Sequence, residues 1–419
     1  AGIYISDNGG STWEFMNTLP ITQFYTCEID EQYPQRLYGG TQDNGTNRTM
    51  FGGMVDWQNI YWGDGFHVLV DPANNSYIYA EYQYGNFARS TNGGTSFSNA
   101  MSGISSGDRK NWNTPFVFDP SDPQILYYGA NRLYKTSDRA VSWQVISPDL
   151  TNGAGSGLVV YGTITTIAVA ASNPQYIYTG TDDGNVWRTA DGGTNWDIIS
   201  SGLPLRWITR VAVDPSDEMN VYVTLSGYRY DSYQPHVFYS EDAGETWNDI
   251  SGNLPEAPVN DIIPDPELDE TLYLATDFGV FVTRDQGQNW SMLGDNLPNV
   301  PIVDLDFHQP TRTLVAATYG RSIFSFDVDQ TVTINENLSE EYRVILFPNP
   351  VGNTLFVNLD ISADIDYSII DLSGNIVAES KLKYGNSIHS INVTNLKPGT
   401  YIIKFQIANK ILKSKFFKS

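Results

Sequence analysis

The chain has one cysteine, Cys27, and four histidines in 419 residues, so it can form no internal disulfide. His67, His236, His308 and His389 are too scattered to suggest a ligand cluster, and no metal and no cofactor are expected. Basic residues are also scarce. Lys and Arg number 24 against 48 Asp and Glu, a net charge of −24, which excludes long-range attraction to nucleic acid or an anionic membrane. No apolar run approaches the roughly 18 residues that would span a bilayer, so no transmembrane segment is expected. Helix-period stretches, a GxSxG nucleophile turn and a phosphate-cradling glycine loop are missing as well.

What the chain does have is aromatic residues (13%) in a composition that is 41% hydrophobic, with 36 glycines. That is ample for a large core built from strands and tight turns. Cys27 sits in the apolar strand pattern FYTCEID, where buried packing is its simplest role.

One octet recurs. Thr189-Ala190-Asp191-Gly192-Gly193-Thr194-Asn195-Trp196 places a hydroxyl, a carboxylate, a glycine and an aromatic at fixed offsets ahead of an apolar pair. The hydroxyl and carboxylate hydrogen-bond the backbone of a tight turn, the glycine permits positive φ, and the ring packs back over the turn. Related octets start at Ser6, Ser90, Thr136, Ser240 and Thr283. The steps are 84, 46, 53, 51 and 43 residues, and the first is about twice the usual spacing of roughly 40 to 50 residues, so one unit has lost its octet.

Ahead of the octets, seven apolar runs read as innermost strands: 24–30, 66–71, 115–119, 164–170, 208–214, 259–265 and 302–308. Each is followed by a second apolar run and, in the five units that carry an octet, a third strand into it and a fourth out of it; the seventh unit has strands one to three but no octet and no fourth strand. The fold class is therefore all-β, a seven-bladed β-propeller over residues 1–328. The sequence opens on a third-strand pattern and so reads as a piece cut inside a blade. Residues Trp13-Glu14-Phe15-Met16 are expected to close the seventh blade as its fourth strand, although residues 2–5 and 322–325 compete for the third position. Residues 329–342 are polar and read as a linker. From 343 to 419, short alternating strands with Gly, Pro and Asn turns predict a small Ig-like β-sandwich. Charge divides with the domains: 15 Lys and Arg against 40 Asp and Glu before residue 330, and 9 against 8 after it.

Together the octets resemble the Asp-box, or BNR, repeat of sialidases, two-propeller xyloglucanases and sortilins. The resemblance covers residues 1–328 and implies that the octet residues are structural: Asp138, Asp191, Asp242 and Asp285, with Trp13, Trp143, Trp196, Trp247 and Trp290. The terminal region resembles the type A C-terminal sorting domain of type IX secretion substrates. The carriers are Phe347-Pro348-Asn349-Pro350, residues 371–375 (DLSGN), residues 396–401 (LKPGTY) and residues 415–418 (KFFK). That resemblance implies engagement of the type IX secretion machinery through residues 343–419, and a secreted or surface location on a Gram-negative bacterium.

Propeller ligands gather at the end of the channel where chain enters the innermost strands and turns from second strand to third. Trp62, Trp112 and Trp207 precede innermost strands and are candidate stacking platforms for sugar or peptide. Gln42, Asn131, Arg132, Tyr319 and Arg321 lie on second-to-third turns and are candidate ligand contacts. Asp43, Asp64, Asp182, Asp183 and Asp277 are candidate acids, because a glycosidase needs two carboxylates flanking its bond. A sialidase-like carboxylate grip would draw on Arg132, Arg229 and Arg321. The leading expectation is an exported propeller that binds polysaccharide, as the C-terminal part of a glycoside-hydrolase-like protein; any enzymatic activity would be that of a xyloglucanase-like glycoside hydrolase. The alternative is a sortilin-like receptor or scaffold without catalytic activity that grips a peptide or partner protein on its top face or in its channel; a peptide site would show a wide apolar channel.

Overall fold

A computed structural model describes residues 3–16, 21–53, 56–155, 160–228, 231–232, 234, 236–294, 297–329, 345–347, 351–359, 364–371, 375–383, 388–407 and 410–418. Two compact units divide the chain, Ala1–Thr331 and Val332–Ser419. The expected linker lies outside the described residues from 330 onward, as do Pro348-Asn349-Pro350, residues 372–374 and Arg229.

The first unit is a seven-bladed β-propeller. Its innermost strands are Glu28–Ile29, Gly65–Val70, Phe116–Asp119, Ile164–Val169, Trp207–Asp214, Val259–Pro264 and Ile302–His308. Each opens an antiparallel sheet; six sheets have four strands and the seventh has three. Two second strands, Ile177–Thr181 and Leu272–Thr276, are buried along their whole length, and the others over most or half of theirs. A strand inside a blade is covered on both faces by neighbouring blades, so small and apolar residues occupy both faces rather than alternating with polar ones. Gly40 shows how close the blades come. A Cβ there would lie 2.0 Å from the Phe66 carbonyl oxygen of the next blade.

In five blades the innermost strand carries an irregularity of register at its start, at Gly65/Val68, Ile164/Thr166, Ile208/Arg210, Val259/Asp261 and Ile302/Asp304. A bulge re-aims a side chain, and three of these send one to the following blade. Thr165 Oγ1 donates to Ile208 O (2.6 Å), Thr209 Oγ1 to Val259 O (2.8 Å) and Asn260 Nδ2 to Ile302 O (2.7 Å). One residue after Thr209, Arg210 forks onto Asp261 and also reaches Asp304, linking blades 5, 6 and 7.

Closure differs from the expectation. Residues Glu14–Phe15 do not join the seventh blade: they pair with Tyr4–Ile5 as a separate two-stranded sheet, while Ile323–Asp327 takes the third position of blade 7 in five-residue register. The ring closes instead through the segment entering blade 1. Phe24 N–H donates to Thr318 O (3.1 Å), Cys27 N–H to Asp304 Oδ2 (2.9 Å) and Ile29 N–H to Asp306 Oδ2 (2.6 Å). Side-chain carboxylates stand in for a backbone ladder at this seam, which relieves the N-terminal hairpin of a closing role.

The second unit is a β-sandwich of a three-stranded and a four-stranded sheet. Its core holds Leu355, Val357, Ile369, Ile391, Ile403, Phe405 and Phe416, contributed by both sheets.

Candidate binding site

The octets fold as turns with shared wiring. In the Thr189 octet the hydroxyl donates to Asp191 Oδ1 (2.9 Å) and accepts the Gly193 N–H (3.0 Å), while Asp191 accepts the N–H groups of Thr194 and Asn195, both at 2.9 Å. Asp138, Asp242 and Asp285 are held in the same way. Four octet indoles reach across to the preceding blade: Trp143 to Ala100 O, Trp196 to Ile146 O, Trp247 to Ile199 O and Trp290 to Ile250 O, at 2.7 to 3.0 Å. Trp13 departs from the structural role expected of it. It is 64% exposed because its hairpin has no blade beneath it among the described residues.

At the mouth, the candidates divide into two groups. Asp182 is buried in accepting Tyr161 N–H, Thr163 N–H and the Thr163 hydroxyl, and burial raises its pKa. Asp183 accepts Thr181 Oγ1, Asn185 Nδ2 and Asn152 N–H. Asp277 accepts Asn260 Nδ2. Asn131 ties Arg109 N–H to Asp149, and Arg132 forks onto Asp108 at 2.8 Å. These five residues hold neighbouring loops together, as a buried or half-buried polar group must find a partner. Trp207 is half-buried at the start of the innermost strand of blade 5, opposite Ser226.

The second group converges across blades 7, 1, 2 and 3. Asp64 is buried in the loop entering blade 2, where one oxygen accepts the Asp43 N–H of the blade 1 turn and the other accepts Gln83 Nε2 of the blade 2 turn (2.6 Å). Gln42 and Gln23 pair through their side-chain amides. Asp43 itself is exposed, in left-handed backbone (φ 58°) that presents it at the tip. Tyr25 stacks on Phe66 at 4.7 Å, with Tyr319 edge-on at 6.4 Å. Trp112 meets Phe66 and Tyr84 edge-on at 5.7 and 4.9 Å, so it is packed rather than a free platform. Trp62, in contrast, is 79% exposed. The turn Thr318–Ser322 holds Tyr319 half-exposed and Arg321 exposed, pinned by Thr318 Oγ1 to Ser322 O (2.6 Å).

Burial pushes the Tyr25 hydroxyl up to about 12, with Tyr319, Asp64 and Asp43 adding to it and a hydrogen bond with Trp112 offsetting part. It is a neutral hydrogen-bonding phenol at any ordinary pH. Tyr25, Phe66, Gln23 and Tyr84 are not among the residues the sequence singles out; their place beside Gln42, Asp64 and Trp112 marks them. On the innermost strands, Arg210 pairs with Asp261 and Asp304. In the second unit a groove of about 440 Å³ is lined by Asp366, Tyr367, Glu379, Lys381, Lys404 and Phe405, among others.

Residues 345–419 match the secretion system C-terminal sorting domain family. The terminal sandwich is a sorting domain. It directs the protein to type IX secretion, and so to the surface of a Gram-negative bacterium or the space beyond. No helix of the described residues is long and apolar enough to cross a membrane. No curated protein sequence matches the chain. Among solved structures, the chain is similar to the GH74 enzyme of Niastella koreensis (19% identity, 82% of this chain and 58% of that one, TM-score 0.56). It is also similar to the GH74 xyloglucanase of Xanthomonas campestris (16%, 96% and 67%, TM-score 0.59) and to YCF48 of Cyanidioschyzon merolae (11%, 75% and 98%, TM-score 0.56). These likenesses bear on the fold. The chain spans 58% of the length of the Niastella enzyme.

Proposed function

We propose that the protein is an exported Asp-box propeller that binds a neutral polysaccharide across the mouth of blades 7, 1, 2 and 3. The observation that carries this reading is the convergence there of exposed Trp62, half-exposed Tyr319 and Tyr84, the neutral Tyr25 hydroxyl and the exposed Asp43. Rings stack on the apolar faces of sugars while hydroxyls and a carboxylate take up their equatorial oxygens. Xyloglucan, the polysaccharide for which the similar Xanthomonas xyloglucanase is named, is a suitable first ligand.

Binding without cleavage is the chemistry this arrangement supports. Retaining and inverting glycosidases each need two carboxylates flanking the scissile bond. Of the five candidate acids, Asp64, Asp182, Asp183 and Asp277 are engaged in holding turns and loops, leaving Asp43. Titration calorimetry of the full chain with xyloglucan and other neutral β-glucans tests the reading, with reducing-end release measured alongside. Binding that weakens about tenfold in Trp62→Ala, the effect of roughly 1.4 kcal/mol, supports it. Absence of any glycan binding at millimolar ligand, or undiminished binding by Trp62→Ala, overturns it.

A further inference from the structure

At the mouth of the propeller, the second strand of each blade turns into the third. In blades 1, 2, 4, 5 and 6 the second strand ends at Thr41, Tyr82, Thr181, Ser226 and Thr276. Two residues further on, at the turn, stand Asp43, Tyr84, Asp183, Tyr228 and Phe278. Three of these five are aromatic, and all three rings are exposed: Tyr84 is 49%, Tyr228 70% and Phe278 44% exposed. Tyr228 N–H donates to Ser226 Oγ (3.3 Å) and Phe278 N–H to Thr276 Oγ1 (3.1 Å). Each bond ties the turn to the end of its own strand, so the ring stands on a held backbone. The carboxylate beside Phe278, that of Asp277, is taken up by Asn260 Nδ2 (3.0 Å), which leaves the ring as the free surface of that turn.

Tyr84 belongs to the mouth of blades 7, 1, 2 and 3, together with Trp62 in the loop entering blade 2; Tyr228 and Phe278 do not. The seven blades close into a ring at the seam of blades 7 and 1. In such a ring the two blades that face blade 2 across the channel are 5 and 6, one reached through blades 3 and 4 and the other through blades 1 and 7. A third apolar side chain joins them there. Leu205, in the loop entering blade 5, is 66% exposed and lies over the blade 4 turn, where a Cβ on Gly184 would be 2.8 Å from its Cδ1. One exposed ring needs no explanation. Rings at one repeated turn position, on opposite sides of one opening, are a pattern.

We propose that Tyr228, Phe278 and Leu205 form a second platform of the same mouth, so that a neutral polysaccharide is gripped at blade 2 by Trp62 and Tyr84 and again at blades 5 and 6. The inference rests on the glycan reading above and adds to it the length of the ligand: a chain that reaches across the channel opening, rather than a short oligosaccharide or a chain end. Rings stack on the apolar faces of sugars. Once one stretch of a chain is held, contact with the second platform is intramolecular, so the polymer gains an affinity that neither platform has alone.

The test is titration calorimetry of the full chain with xyloglucan polymer and with oligosaccharides of increasing length cut from it. It compares the parent with Tyr228→Ala/Phe278→Ala and with Trp62→Ala. Both rings of the double variant are exposed, so its melting temperature should match the parent's, and Tyr228→Ala alone should act in the same direction. The double variant should lose about tenfold in affinity for the polymer and keep the shortest bound oligosaccharide within about twofold, whereas Trp62→Ala should weaken both. Polymer binding by the double variant equal to the parent's, or an equal loss for short and long chains, overturns the second platform while leaving the site at Trp62 standing. Binding of no glycan by the parent overturns both readings.

Discussion

The indole N–H of Trp196 donates to the carbonyl of Ile146, 3.0 Å away and 50 residues upstream, so the octet of one blade is fastened to the fourth strand of the blade before it. A turn signature that looks local in sequence is thus an inter-blade clasp. Truncating the indole to a phenyl keeps the apolar packing and removes the donor. Trp143→Phe loses the 2.7 Å bond to Ala100 O at a site that is 3% exposed. A stranded buried carbonyl costs roughly 1 to 3 kcal/mol, so thermal unfolding should fall by several degrees. Trp13→Phe, at an exposed indole, should leave it unchanged.

Gly40 makes the tightest demand between blades. A methyl group there would sit 2.0 Å from Phe66 O and 2.4 Å from the Gly65 carbonyl carbon, both backbone atoms that cannot swing aside. Gly40→Ala should cost more than about 3 kcal/mol by forcing the first two blades apart, read as a lost or sharply lowered unfolding transition. Gly107→Ala meets nothing nearer than a Ser105 hydroxyl at 3.7 Å and should be neutral.

The closing seam predicts how stability varies with pH. Burial raises the Asp306 carboxyl to about 6, and Glu31 and Asp261 add to it, while the N–H groups of Ile29 and Phe307 pull it back. Folded protein therefore holds a proton that the unfolded chain releases near pH 4. Stability from this group is greatest below about pH 4 and is lost as pH rises through about 6. The octet acids work oppositely: hydrogen bonds from neighbouring backbone and side chains lower Asp138 and Asp191 to about 2, so their contribution is lost as pH falls from about 4 toward 2. Melting temperature should peak near pH 4 and decline from there through about pH 6. Asp306→Asn should flatten the decline above pH 5; a melting curve with an unaltered slope there refutes the assignment.

Much of the propeller is legible because the octet and the paired apolar runs repeat. Blade 1 shows where repetition misleads. It keeps the octet's function with different spacing: Thr49 Oγ1 donates to Asp56 Oδ1 (2.6 Å) and accepts Gly52 N–H (2.9 Å), and Asp56 accepts Phe51 N–H (2.9 Å). The carboxylate comes seven residues after the hydroxyl rather than two, so no octet is visible. Ring closure is hidden for a related reason. The hairpin at Trp13 has a fourth-strand sequence, yet blade 7 is closed by the side chains of Asp304 and Asp306 on the Cys27 and Ile29 amides, and single carboxylates leave no pattern. At the mouth, the repeat places polar and aromatic residues on the turns without distinguishing those consumed as staples. Arg132 and Asp182 find partners in the loops that enter the innermost strands of their blades, whereas Asp43 is held out by the left-handed backbone of its turn.

Asp64 is the joint on which the mouth depends, because its two oxygens hold two different turns, Asp43 N–H of blade 1 and Gln83 Nε2 of blade 2. Asp64→Asn keeps the shape but gives one side an amide nitrogen, which faces a donor whichever way the group is flipped. One bond is lost and a buried donor pair is left opposed, a cost of roughly 1 to 3 kcal/mol. Because both turns display residues of the proposed glycan site, glycan affinity should drop more than tenfold with only a modest fall in melting temperature. Asp43→Asn should keep the fold and melting temperature, since its carboxylate accepts no hydrogen bond among the described residues. Equal affinity in Asp64→Asn and the parent chain would show that the turns of blades 1 and 2 are not where the ligand sits.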